Sequence, residues 1–252
     1  MYETFYKLSA MPFQLTPDSR FFFGSAGHSK AIAHLNYGLA QGEGFIVITG
    51  EVGAGKTTLV EWLRSQMDPA AYTIARISTT QVSENDLFRL AMAGFGLTEE
   101  GLGKAALLRR FEDVLRDHQA TGRRCLLIVD EAQNLSFAAL EELRMLSNIT
   151  IDGRTSLQTI LLGQPQFRRL LASPNLDQLR QRVLTSYHLG PLSLEETRAY
   201  IEHRLGAVGW AGDPHWDGAA FAAVFSHTGG VPAPHQPPVL PCAALWRAGG
   251  GA

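Results

Sequence analysis

Cysteine is almost missing from this chain of 252 residues, which holds only Cys125 and Cys242. Two cysteines alone build neither a disulfide framework nor a metal cage, and Cys125, which opens an apolar run, reads as a small buried hydrophobe. No apolar run approaches the roughly 20 residues a membrane span requires. The opening residues, Met1-Tyr2-Glu3-Thr4-Phe5-Tyr6, lack the basic and apolar regions of a signal peptide, so a cytoplasmic location is expected. A charge excess is also missing: 22 Lys and Arg stand against 24 Asp and Glu, a net charge of −2. That balance gives no bulk drive toward nucleic acid or an anionic membrane. With 45% hydrophobic and 18% charged residues, the composition excludes a chain too polar to build a core.

Glycine is concentrated where chemistry is expected. Gly50-Glu51-Val52-Gly53-Ala54-Gly55-Lys56-Thr57-Thr58 fits G-x-x-x-x-G-K-[ST], the phosphate-binding loop. Before it, Phe45-Ile46-Val47-Ile48-Thr49 is a short apolar run that predicts a buried strand. After it, Leu59 to Met67 alternates apolar and polar residues as a helix does. Strand, glycine loop and helix are the context the motif needs, and they weaken the alternative of a chance glycine-rich turn. Gly50, Gly53 and Gly55 permit a tight turn with backbone N–H groups aimed inward at a polyphosphate. The following helix adds the positive end of its dipole. Lys56 is placed to reach the β- and γ-phosphates, and the Thr57 hydroxyl to ligate Mg²⁺.

Residues 1–24 are aromatic and turn-rich without a period, and are expected either to cross a nucleotide base or to cover a core edge. Residues 27–41 predict a helix with Ile32, Leu35 and Leu39 on one face, and His28 and His34 as polar surface or helix-end residues. Ala71 to Ile77 predicts a second strand. Ser83 to Asp86 resembles a capping box ahead of a helix through Ala93, which Gly94, Gly96 and Gly101 end. Residues 103–120 predict an amphipathic helix whose Lys104, Arg109, Arg110 and Arg116 form a solvated face.

The second chemical motif is Cys125 to Glu131, a hydrophobic strand ending in two carboxylates. In phosphate-loop NTPases an acidic residue at such a strand end holds Mg²⁺, a role Asp130 fits, and Glu131 could act as general base on water. The competing role is an acidic N-cap for the helix predicted at 136–147. Asn148 to Arg154 reads as a polar turn, and Ser156 to Gly163 as a buried strand. Gln164 at its tip could sense a γ-phosphate or cap the next helix. Arg180 and Arg182 could reach a neighbouring subunit's phosphate or make surface ion pairs, and nothing in the sequence chooses between them. The alternation of strands and helices predicts an α/β fold, a parallel sheet with helices on both faces and the nucleotide at the carboxyl ends of the strands. From Leu194 the pattern is helical only, over 194–208 and 217–227.

These motifs support a family resemblance. The phosphate loop, LLIVDEAQNL at 126–135, LEELRMLSN at 140–148, LLGQPQF at 161–167 and LRQRV at 179–183 resemble the AAA+ ATPases of the general secretion pathway A (ExeA-like) family. FFFGSAGH at 21–28 and SYHLGPL at 186–192 look most like the secretion ATPase found with exosortase/PEP-CTERM exopolysaccharide loci. The resemblance covers residues 1–231. It implies a P-loop NTPase that uses ATP and Mg²⁺, forms a homo-oligomer and works with inner-membrane secretion or polysaccharide-export components. It also implies Asp130 as the Walker B carboxylate, Glu131 as catalytic base, Gln164 as sensor 1 and Arg180 or Arg182 as finger. The implied division is a nucleotide-binding domain at 1–191, a partial helical lid at 192–231 and an aberrant tail at 232–252. Larger relatives carry a transmembrane segment and a peptidoglycan-binding domain; neither is expected here, so cell-wall binding is not carried over from the resemblance.

The tail departs from the family. Relatives read about GG[IV]PRRIN and continue into a leucine-rich lid helix carrying the sensor-2 arginine. Here Gly229-Gly230-Val231-Pro232 is followed by Ala233-Pro234-His235-Gln236-Pro237-Pro238, whose prolines forbid a helix. A frameshift near codon 233 is expected, because His235-Gln236, as CAY-CAR, can read Ile-Asn one base later; the alternative is a genuine divergent tail. Residues 233–252 are expected to be poorly ordered, with weakened ATP turnover and assembly. Two other functions compete: a DNA-binding transposition-type ATPase, for which no basic stripe or helix-turn-helix pattern is visible, and a nucleotide-bound scaffold with little hydrolysis.

Overall fold

The computed structural model describes residues 5–13, 18–78, 83–97 and 101–232. The tail at 233–252, expected to be poorly ordered and to lack the lid helix, lies outside the described residues. The helices are α1 (Ala26–Gln41), α2 (Lys56–Gln66), α3 (Glu84–Gly94), α4 (Lys104–Ala120), α5 (Phe137–Leu146), α6 (Pro165–Leu171), α7 (Asp177–Arg180), α8 (Leu194–Gly206) and α9 (Gly218–Thr228). The strands are β1 (Phe45–Gly50), β2 (Tyr72–Ile77), β3 (Arg124–Val129), β4 (Thr150–Ile151), β5 (Arg154–Thr155), β6 (Leu157–Gly163) and β7 (Val183–Leu189). Among the described residues no helix is long and apolar enough to cross a membrane. The chain divides into two compact units, one of Ala31–Gly50 and Gln66–His188, the other of Met1–Lys30, Glu51–Ser65 and Leu189–Ala252.

The first unit is built on a five-stranded sheet in the order β2-β3-β6-β1-β7. β2 runs parallel to β3, β3 to β6 and β6 to β1. Parallel neighbours need crossovers that put helices on the sheet faces, so inner strands become apolar throughout. β1 and β6 are buried at every position, whereas β2, at the edge, is only half-buried along Tyr72, Thr73 and Ile74. Phe45, Val47, Leu127, Val129 and Leu161 form one core with Leu87, Met92, Phe111, Leu115, Leu140, Leu143 and Phe167 of the helices. The alternate residues Ile46, Ile48, Leu126, Ile128, Ile160 and Leu162 are equally buried, so the sheet is covered on both faces. α1 covers part of the second face. Its Gly38 lies so near Ile46 that a Cβ would come within 2.5 Å of that side chain.

Gly44 sets the entry into β1. Its φ is +65°, and a Cβ there would lie 2.6 Å from the Arg182 carbonyl oxygen, so glycine is required twice over. That same oxygen accepts the Phe45 N–H at 2.9 Å. α3 begins as its sequence predicts: the Ser83 hydroxyl oxygen accepts the Asp86 N–H at 3.2 Å and its O–H reaches Asp86 Oδ2. In α4, Leu107, Phe111 and Leu115 are buried, while Lys104, Arg109, Arg110 and Arg116 are exposed as expected. The polar turn predicted at 148–154 is instead the hairpin β4-β5. Asp152 and Gly153 turn it with φ of 50° and 73°, the positive pair an Asp-Gly hairpin turn needs.

The second unit holds the aromatic amino-terminal segment and the two carboxy-terminal helices. Leu8, Phe21 and Val208 make one small core; Ile201, Leu205 and Phe221, with Phe13, Tyr200 and Trp216, make another. Phe22 stacks on Trp62 at 4.8 Å between ring centroids. Buried Arg204 of α8 sits among Phe21, Tyr200 and Phe13 and donates from Nε to the Pro12 carbonyl oxygen. The guanidinium replaces lost hydration with ring faces and one backbone acceptor. Of the two roles open to the aromatic segment, covering a core is thus one it performs.

Candidate functional site

The phosphate loop leaves the carboxyl end of β1 at Gly50 and enters α2 at Lys56. Gly53 and Gly55 take φ of 80° and 93°, the left-handed backbone that glycine alone adopts without strain. The Ala54 N–H closes a turn onto the Glu51 carbonyl oxygen at 3.1 Å. Val52 and Gly53 are half-buried, and Thr57 and Thr58 lie in the first turn of α2. Lys56 is only 6% exposed, and its Nζ donates to the Glu51 carbonyl oxygen at 3.0 Å. An ammonium folded back over its own loop places positive charge beside a helix amino terminus, where an anion is already favoured.

His28, expected as a polar surface or helix-end residue, lies in the first turn of α1 but is buried rather than at the surface. It is 6% exposed, its Nδ1 is 2.7 Å from the Ser25 hydroxyl, and its Nε2 would lie 2.9 Å from a Cβ at Gly55. The imidazole is therefore a brace against the last glycine of the loop. Burial holds its pKa below the ordinary histidine value, with Glu196 opposing that shift. Periodicity could not separate this role from a helix end, because His28 falls in the first turn of α1.

The carboxylates stand at the carboxyl end of β3. Asp130 is 6% exposed; its Oδ1 accepts the Glu131 N–H at 2.9 Å and its Oδ2 accepts from Arg76 Nη2 at 3.1 Å. Arg76 lies in β2, one strand over. Glu131 follows with φ of 52°, a left-handed conformation uncommon for a residue with a side chain. Its Oε2 accepts from Gln164 Nε2 at 3.1 Å and from Gln133 Nε2. Gln133 Oε1 in turn accepts the Gln164 backbone N–H at 2.9 Å. The acidic N-cap alternative fails: α5 is capped by Ser136, whose hydroxyl oxygen accepts the Ala139 N–H. Gln164 occupies the N-cap position of α6, yet its side chain makes no cap bond and points to Glu131 instead.

The arginines are placed differently. Arg180, at the end of α7, is half-exposed and pairs with Asp177 at 2.8 Å. Arg182 is half-buried and donates from Nη1 to the Ser147 carbonyl oxygen at 3.1 Å. Sequence reasoning missed Arg76 and Gln133. The signal for Arg76 was a lone cation in an otherwise apolar strand, and for Gln133 an amide two residues past a catalytic-type carboxylate. Asp130 is a buried carboxylate and Thr57 a hydroxyl in the first turn of α2, and each by itself is a hard oxygen donor of the type Mg²⁺ takes.

A parallel sheet with a glycine loop after its first strand and paired carboxylates at the end of a neighbour defines a phosphate-loop NTPase fold. A family model described as "AAA domain" matches residues 39–171, and the chain belongs to that family. Over 236 residues it is 39% identical to General secretion pathway protein A of Aeromonas hydrophila, a match covering 92% of this chain and 42% of that protein. The chain thus spans less than half of that relative's length. Among solved structures it is similar to the ORC2 protein of Aeropyrum pernix in its ADP form, with a TM-score of 0.62 and 17% identity over 86% of this chain and 60% of that one. Thermotoga maritima RuvB is similar too, with a TM-score of 0.52 and 20% identity over 84% and 59% of the two chains. At such identities these two likenesses speak to the fold.

Proposed function

We propose that this chain binds ATP with Mg²⁺, hydrolyses it to ADP and phosphate, and uses the turnover to power or regulate envelope secretion. The observation that carries the hydrolytic reading is Glu131, a carboxylate held by two side-chain amides beside the buried Asp130. Backbone N–H groups of Gly50 to Thr58 cradle the phosphates, and Lys56 offsets their charge. Thr57 and Asp130 would hold Mg²⁺, which would withdraw charge from the phosphates. Glu131 takes a proton from the attacking water as the new P–O bond forms and the bond to the ADP oxygen breaks. Gln164 reads the terminal phosphate. Arg180, exposed on α7, is better placed than Arg182 to serve a neighbouring copy in a homo-oligomer.

The secretion role is supported by the likeness to General secretion pathway protein A. Its partners would be inner-membrane secretion components, met from the cytoplasmic side. The finer assignment, to exopolysaccharide assembly at exosortase/PEP-CTERM loci, rests on FFFGSAGH and SYHLGPL. Residues 192–231 would act as the lid. Calorimetric titration with Mg-ATP tests the binding step. Wild type is expected to bind and Lys56→Ala to lose binding at least tenfold; equal affinities would contradict the site.

A further inference from the structure

Glu131, Gln133 and Gln164 form a closed ring of three hydrogen bonds at the ends of β3 and β6. Gln133 Nε2 and Gln164 Nε2 both donate to Glu131 Oε2, and Gln133 Oε1 accepts the Gln164 backbone N–H. Two donors on one oxygen fix the plane of the carboxylate. Each member touches both others, and Gln133 does so through opposite ends of one side-chain amide. It sits on the 3-10 turn Ala132–Asn134, a short element packed against β6 and α6. Phe167 of α6 is fully buried against Gly163, where a Cβ would come within 2.9 Å of its side chain, so the start of α6 has little room to shift.

We propose that Gln133 is a positioning residue that ties the general base to the phosphate-reading amide, so that Glu131 and Gln164 respond as one unit. The inference rests on the hydrolytic reading above. A side-chain amide suits the task because it donates and accepts at once. An isosteric thioether or a carboxylate cannot do both.

The test pairs turnover with amide exchange in the nucleotide-free chain. Gln133→Met keeps the volume and removes both bonds. It is expected to lower kcat about 10- to 100-fold with KM changed less than about twofold, the pattern of a misplaced group rather than lost binding. It should also speed exchange of the Gln164 N–H about tenfold or more. Gln133→Glu keeps the acceptor and loses the donor, so it should leave that N–H protected while turnover falls. The double variant Gln133→Met/Gln164→Met should be no slower than the worse single variant, because both break one ring. Unchanged kcat in Gln133→Met, or losses that multiply in the double variant, would overturn the proposal. If the wild-type chain does not hydrolyse ATP, the hydrolytic reading fails instead, and the exchange measurements alone decide whether the ring holds.

Discussion

Arg76 Nη2 lies 3.1 Å from Asp130 Oδ2, so the carboxylate expected to serve Mg²⁺ already has a cation beside it. The Asp130 side chain is 8% exposed and that of Arg76 32%. A largely buried carboxylate is costly without a partner, and a third-exposed arginine offsets this in part. Arg76→Met is expected to lower the stability of the nucleotide-free chain by about 1 kcal/mol. With the competing charge gone, the half-saturating Mg²⁺ concentration for turnover should fall. A rise in that concentration would mean that Arg76 assists the metal.

Glu196 closes two helices at once. Its Oε1 accepts the Ala26 N–H at the start of α1 at 2.8 Å, and its Oε2 accepts the Ser193 N–H in the capping box of α8. Each cap of this kind contributes about 1 kcal/mol. Glu196→Ala should therefore destabilise by about 2 kcal/mol, twice an ordinary cap loss, as read by denaturant unfolding. A loss no larger than that of Ser136→Ala would show that one of the two caps contributes nothing.

His28 gives stability a pH dependence. Burial lowers its pKa from the ordinary 6.5, although Glu196 pulls the other way. As pH falls through that value the unfolded chain takes up the proton first, so the folded state loses ground. The thermal midpoint should drop between about pH 7.5 and pH 5.5, and His28→Gln should flatten the slope. An unaltered slope in that variant would assign the dependence to other groups.

Arg204 has no carboxylate partner among the described residues, yet it should matter more than that suggests. Burial among three rings and the bond to Pro12 predict a loss of about 2 kcal/mol for Arg204→Met, which keeps the stem but not the head. A loss under about 0.5 kcal/mol would make the cage incidental.

The sheet was legible because its strands are buried on both faces. Phe45–Thr49, Cys125–Val129 and Ser156–Gly163 are apolar runs that buried parallel strands share, and each appears within a residue or two of its expected place. The phosphate loop and carboxylates were legible because their chemistry fixes residue type and spacing together. What periodicity missed depends on partners distant in sequence. The burial of His28 follows from its packing on Gly55, and the Gln133 ring from Gln164, 31 positions on. Arg76 gains its meaning only when β2 pairs with β3. The small hairpin at Asp152-Gly153 did carry a local turn signal, obscured by strands of two residues each.

Steady-state Mg-ATP turnover of the chain, beside Glu131→Gln, tests the central claim most directly. Hydrolysis in the wild type with a loss of about 100-fold or more in the variant, at unchanged nucleotide affinity, is the predicted result. Equal turnover in the two would remove Glu131 from the chemistry, and no turnover in either, with ATP still bound, would make the chain a nucleotide-dependent scaffold.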